Sequence, residues 1–153
     1  MKLSTKGQYG VRAMVELARS YGQGPLPLTE VSRLQNISLA YLEQIVALLR
    51  QAGLVVSTRG AHGGYHLARA PQAITVGDIL RALEGPIAPV QCVSEVSQGR
   101  RCEREEMCLT RPVWEKMRDS IVNALDSTTL ADLIGPTLKG DGDCRDGANP
   151  STQ

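Results

Sequence analysis

Two β-prone runs, Leu54-Val55-Val56-Ser57-Thr58-Arg59 and Tyr65-His66-Leu67-Ala68, flank the glycine-rich connection Gly60-Ala61-His62-Gly63-Gly64 in a chain whose other periodic segments read as helix. Two such runs around a glycine cluster predict a β-hairpin. What precedes the hairpin fixes its meaning. Tyr9, Ala13, Met14, Leu17, Ala18 and Tyr21 recur at helical spacing until Gly22-Gln23-Gly24-Pro25 ends the run. After Pro27, Thr29 is placed to cap a short helix through Leu34, Asn36-Ile37 reads as a turn, and Ser38 is placed to cap a second helix. In that second helix Leu42, Ile45, Val46 and Leu49 share one face, and Gly53 stands just past its end. Two helices joined by so short a turn have a helix-turn-helix outline, and a hairpin directly after one reads as a wing.

With no phenylalanine and only 3% aromatic residues, any core must be filled by Leu, Val, Ile, Ala and Met, which suits small helices. The 153 residues have room for one domain, or for a small domain with an appended arm. The net charge of +1 conceals an asymmetry. Residues 1–70 carry eight Lys or Arg against three Asp or Glu, giving +5, and the remainder carries nine against thirteen, giving −4. A basic unit joined to an acidic one points to a polyanionic partner for the first alone. The opening MKLSTKGQYG lacks the apolar run of a secretory signal, and no stretch approaches the roughly 20 apolar residues that span a bilayer. The expected compartment is the cytoplasm, where clustered thiols serve as metal ligands or redox groups more often than as disulfides.

Thr75-Val76-Gly77-Asp78 resembles a capping box with Asp in place of Glu, opening a short helix through Ile79, Leu80 and Leu83 that Gly85-Pro86 stops. From Pro86 to Thr110 no periodicity is sustained, and the segment reads as a loop. Thr110, with Pro112 in the first turn, starts a helix whose Trp114, Met117, Ile121 and Leu125 form one apolar stripe. Such a stripe beside a small domain is expected to pair with a second copy across a two-fold axis. Ser127 to Ile134 reads as a further short helical turn. The expected fold is mainly α with a small β-wing: a winged helix-turn-helix over 1–85, a cysteine-bearing loop over 86–110, a dimerisation helix region over 111–139 and a disordered polar tail over 140–153.

A recognition helix presents short polar or charged side chains near its N-terminus, the end that reaches base edges in the major groove. Here Ser38, Ala40, Tyr41, Glu43 and Gln44 occupy that place. Glu43 is informative, because a carboxylate near phosphates is unfavourable unless it accepts a hydrogen bond, and cytosine N4 is the expected donor. Lys2, Lys6 and Arg12 are candidate phosphate contacts, and Arg59 at the base of the wing is a candidate for the minor groove. Glycines 60, 63 and 64 allow close approach of the backbone to DNA, although tight-turn geometry alone also accounts for them. No catalytic constellation accompanies these residues, since His62 and His66 sit in the wing without a paired serine or carboxylate.

Cys92-x9-Cys102-x5-Cys108 holds three of the four cysteines. These soft ligands suit a 2Fe-2S cluster, a 4Fe-4S cluster or zinc, and spacing does not choose among them, although the short bite common in structural zinc sites is absent. Three unliganded surface thiols are the bland alternative.

Several stretches carry a family resemblance: MKLSTKGQYGVRAMVELA, SLAYLEQIVALLRQAGLV, RGAHGGYHLA, ITVGDILRALEG, and the cysteine set running into CLTRPVWEKMRDS. Over about residues 1–135 the chain resembles the iron-sulfur cluster regulator (IscR-like) family of winged helix-turn-helix transcription factors. The resemblance implies a homodimer held by the long C-terminal helix on a palindromic site in double-stranded promoter DNA, controlling iron-sulfur assembly genes. It implies a DNA surface of Ser38, Tyr41, Glu43, Gln44 and Arg59, and a 2Fe-2S cluster on Cys92, Cys102 and Cys108. Ala40 replaces a serine of many members, which removes one polar contact. The family's usual fourth ligand is a histidine three residues after the third cysteine, where this chain has Arg111, which stays protonated and cannot ligate. Glu103, Glu105, Glu106, Cys144 or a group from the partner subunit are the candidates left.

Neither an enzyme nor a small-molecule substrate is expected. The rival within the regulator class is a redox or nitric oxide sensor that uses the cysteines directly or a different cluster. A thiol oxidoreductase lacks its Cys-x-x-Cys here. A small interaction protein on a helix-turn-helix scaffold is a further rival, distinguished by the absence of any DNA footprint.

Overall fold

The computed structural model describes residues 2–96 and 102–135. Expectations placed on Arg100, Arg101, Cys144 and the 140–153 tail lie outside the described residues. The element order is α1 (Thr5–Arg19), α2 (Leu28–Gln35), α3 (Leu39–Gln51), β1 (Val55–Thr58), β2 (Gly64–Leu67), α4 (Val76–Glu84), α5 (Arg111–Asp126) and α6 (Leu130–Ile134). Single 3-10 turns lie at Pro71–Ala73, Gln91–Val93 and Glu105–Met107.

Local chemistry sets most of the boundaries. Ser4 caps α1 by accepting the Gly7 N–H, and Ser38 caps α3 by accepting the Tyr41 N–H. The end of α3 is a Schellman arrangement: Gly53 at φ 75° donates to the Arg50 carbonyl while Leu54 donates to that of Leu49. Thr75 and Asp78 form the expected capping box of α4. Two starts differ from expectation. Helix α2 begins at Leu28 with an extended Pro27 in the cap position, so Thr29 lies inside the first turn and caps nothing. Thr110 precedes α5 as expected, but its hydroxyl lies against the Cys108 sulfur instead of capping the helix.

Strands β1 and β2 pair antiparallel, Val55 opposite Leu67 and Thr58 opposite Gly64. Leu26 joins them by exchanging both backbone hydrogen bonds with Tyr65, at 2.9 Å each. A side chain on Gly64 would collide with the Leu26 and Pro27 backbone, so glycine is what lets the segment before α2 lie on the wing.

The core is aliphatic throughout. Met14, Leu17, Val31, Leu42, Ile45, Leu49, Leu67, Ile74, Ile79 and Leu130 are buried together, each worth about 1.5–3 kcal/mol of transfer free energy. Helix α1 crosses α4 closely at Gly7 and Gly10, where a Cβ would run into Glu84 and Leu80 or into Leu83. The last helix also belongs to this core. A second capping box, Thr129 with Asp132, opens α6; Leu130 donates to the Ile74 carbonyl and its side chain is fully buried. Helix α5 contains no buried residue at all.

Candidate nucleic-acid interface and cysteine segment

The turn between α2 and α3 is held by more than its own backbone. Asn36 takes the left-handed conformation at φ 52°, and the Ser32 hydroxyl donates to the Ile37 carbonyl at 2.6 Å. From α1, Arg12 donates to the Gln35 side-chain oxygen at 2.9 Å and to its carbonyl at 2.6 Å, satisfying a carbonyl that the helix end leaves open. Gln35 in turn donates to Glu16, the single buried charged residue among those described, at 2.5 Å. Arg12, a candidate phosphate contact by sequence, is therefore engaged in bracing this turn. Gln35 and Glu16 carried no signal in the sequence, because their partners lie 19 to 23 positions away.

The turn presents the first two turns of α3. Leu42, Ile45, Val46 and Leu49 face the core, and Ser38, Ala40, Glu43 and Gln44 are exposed. Tyr41 is half-buried, its ring edge-on to Tyr9 with centroids 5.9 Å apart, and Arg12 lies 5.2 Å from the Tyr9 ring centre. Arg59 is exposed directly after β1, followed by Gly60 at φ 113°. Lys6 lies on the first turn of α1 and Lys2 just before it. Among the described residues no carboxylate pairs with Lys2, Lys6 or Arg59, so their charges remain available to an anion.

The cysteines lie in the segment between α4 and α5. Cys92 is exposed in the 3-10 turn Gln91–Val93, Cys102 is exposed, and Cys108 is half-exposed just before α5; none of the three is in a disulfide. The Cys108 sulfur is 3.3 Å from the Thr110 hydroxyl. That contact, then the backbone N–H groups of Thr110 and Arg111, then the Arg111 charge, hold the thiol below the ordinary thiol range. Arg111 pairs with Glu115 at 2.8 Å and with Glu105 at 3.0 Å, and its guanidinium also feels Cys92. Glu105, a candidate ligand by sequence, is thus engaged with Arg111. Among the described residues no three His, Cys, Asp or Glu side chains are gathered closely enough to hold a metal ion. The donor chemistry nonetheless fits a thiophilic centre: three unbridged cysteines, one with its thiolate favoured.

Comparison with known proteins follows the same lines. A profile of the Rrf2 family, described as iron-dependent transcriptional regulators, matches residues 3–136. The transcriptional regulator CymR of Bacillus subtilis is 47% identical over 137 residues, 90% of this chain and 92% of that protein. Its solved structure, described as that of the global cysteine regulator, superposes with a TM-score of 0.71 over 87% of this chain and 95% of the other, at 50% identity. The regulator IscR of Erwinia tasmaniensis is 41% identical over 135 residues, 88% of this chain and 79% of that one. The solved structure of T. potens IscR gives a TM-score of 0.72 at 47% identity, covering 88% of this chain and 86% of that chain. These relatives are DNA-binding regulators and not enzymes. Among the described residues no helix is long and apolar enough to cross a membrane.

Proposed function

Because this chain belongs to the Rrf2 family of winged-helix transcriptional regulators, we propose that it binds a palindromic promoter site as a homodimer and that the state of its cysteine segment sets its affinity. The observation that carries the reading is the separation of two chemistries in one small fold. An exposed reading face, Ser38, Glu43 and Gln44 with Tyr41 behind, lies on α3, three free thiols lie in the segment before α5, and α4 packs against both helices. Glu43 reads a cytosine, Gln44 an adjacent base edge, Lys6 holds a phosphate and Arg59 reaches the minor groove. The unburied stripe of α5, Trp114, Met117, Ile121 and Leu125, pairs with its copy. Such a protein works where the chromosome is, in the cytoplasm.

Cys92, Cys102 and Cys108 would hold an iron-sulfur cluster, most readily 2Fe-2S, which supplies a redox- and iron-dependent state when bound. The chain's own part is to favour the thiolate form of Cys108 and to set the Arg111 charge near Cys108 and Cys92. Arg111 offers no fourth donor and adds positive charge beside the sulfurs. That same feature favours a second reading, in which Cys92 and Cys108 are themselves the redox groups, since a neighbouring guanidinium favours thiolates. Anaerobic absorbance with iron and sulfide quantitation, on wild type and on Cys92, Cys102, Cys108 and Cys144 serine variants, separates the two. Stoichiometric iron lost in each of the first three variants supports the cluster. Colourless, iron-free protein whose DNA affinity still follows thiol oxidation supports the second reading.

A further inference from the structure

One guanidinium joins three parts of the chain that the sequence keeps 14 and 45 positions apart. Arg81 extends from α4. Its Nε and Nη2 lie 3.0 and 2.5 Å from the two Glu95 carboxylate oxygens, and its Nη1 and Nη2 lie 2.6 and 2.9 Å from those of Asp126 at the end of α5. Both contacts are two-pronged, the geometry in which arginine fixes direction as well as distance.

Glu95 is tied to the cysteine turn. It lies three residues after Cys92, and its carboxylate also accepts the Ile87 N–H at 2.8 Å, which closes the segment 87–95 on itself. Inside that closed segment Val93 is fully buried, and its carbonyl accepts from Arg118 of α5 at 3.2 Å. The turn that carries Cys92 is therefore fastened on both sides of the cysteine and cannot shift without moving Glu95. On the far side of Arg81, Gly77 has no room for a side chain, because a Cβ there would fall on Asp126 and on the Arg81 guanidinium. Helix α4 itself packs on α1 and α3 through Leu83, Gly10 and Ile45.

We propose that Arg81 is the positioning residue through which the Cys92 turn and the DNA-reading unit sense one another, with Glu95 as the arm on the cysteine side and Asp126 as the arm on α5. The proposal rests on the reading that cysteine state sets DNA affinity, and it adds the joint that transmits it. When the Cys92 turn moves, Glu95 pulls on Arg81, which shifts α4 against α1 and α3 and resets the end of α5 at the same time.

Coupling between two sites is reciprocal, so DNA must alter Cys92 as much as Cys92 alters DNA binding. The test uses the full chain, a duplex selected by the wild-type protein from random-sequence DNA, and a glutathione redox buffer as the thiol probe. The equilibrium constant for the Cys92 mixed disulfide, followed by peptide mass analysis with and without saturating duplex, is expected to change by about 5-fold or more in wild type. In Glu95→Gln the ratio falls to about one while affinity for the duplex under reducing conditions stays within about 2-fold; Arg81→Met gives the same reading should the first variant not unfold cooperatively. A full wild-type ratio in folded Glu95→Gln or Arg81→Met overturns the joint and leaves the sensing reading in place. A ratio of one in the wild-type complex removes the sensing reading, and the joint with it.

Discussion

Arg12 and Gln35 are joined across 23 positions by two hydrogen bonds, at 2.9 and 2.6 Å, and this pairing braces the turn that sets the angle of α3. Arg12→Ala is therefore expected to act on stability. Two exposed charge-assisted hydrogen bonds are lost and the last carbonyl of α2 opens to water, which predicts a loss of about 1–2 kcal/mol in urea unfolding. The salt dependence of DNA binding should be unchanged in this variant, whereas Lys6→Ala should lower its slope by about one.

Glu43 is exposed on the second turn of α3 with no partner among the described residues. Glu43→Ala is expected to relax selectivity at one base pair, with a discrimination change of about 1–3 kcal/mol at that position and little change elsewhere. Binding to a duplex panel substituted one position at a time measures it. A uniform change across the panel would place Glu43 outside base readout.

Gly10 separates α1 from the buried Leu83 side chain. Gly10→Ala gains about 1 kcal/mol of helix propensity but forces Leu83 into a packed core, which costs about 1–3 kcal/mol, so the net change is a loss. At Gly77 the same substitution meets both the Asp126 carboxylate and the Arg81 guanidinium, which must part to admit it. Gly77→Ala should thus separate Arg81 from Asp126 and lower the thermal unfolding temperature.

Much of this architecture was readable because it rests on short-range chemistry. The Thr75–Asp78 box, the Ser38 cap and Gly53 each act within five residues, and each is where the sequence placed it. The identical box at Thr129 and Asp132 opens a helix only five residues long, too short to give a periodic signal in the sequence. Thr29 misled because Pro27, with φ held near −63°, brings the chain into α2 earlier. The reading face of α3 was legible, being a helix N-terminus after a turn. The Arg12 brace and the Arg81 joint were not, since both link residues distant in sequence through side chains that read as ordinary surface charge. Arg111 stood out only through resemblance, and its pairing with Glu105 and Glu115 needed the structure.

Acid should open the Arg81 joint. Hydrogen bonding from Arg81 holds the Glu95 carboxyl below the ordinary glutamate value of 4.5, helped by the Ile87 N–H and the Arg118 charge. A carboxyl with a lowered folded-state pKa contributes stability above its unfolded value and loses it as pH falls through the folded one. The stabilisation is thus present above about pH 4.5 and disappears below it. In Glu95→Gln the acid limb of a stability profile should flatten; an unchanged limb would show that the pair contributes nothing.

The α5 stripe offers a check on assembly. Ile121→Glu places a charge in the apolar stripe proposed to pair with a copy, and should shift sedimentation from dimer to monomer. Affinity for a single half-site should survive while the palindrome loses its advantage.

The most direct measurement is the affinity of the full chain for its selected duplex, taken anaerobically on protein as isolated and again after its cysteine state has been reset by iron chelation and thiol reduction. The account predicts a shift of about 5-fold or more in wild type, absent in the Cys92→Ser, Cys102→Ser, Cys108→Ser triple variant. Equal affinities in the two wild-type states, with the duplex bound tightly in both, would contradict it.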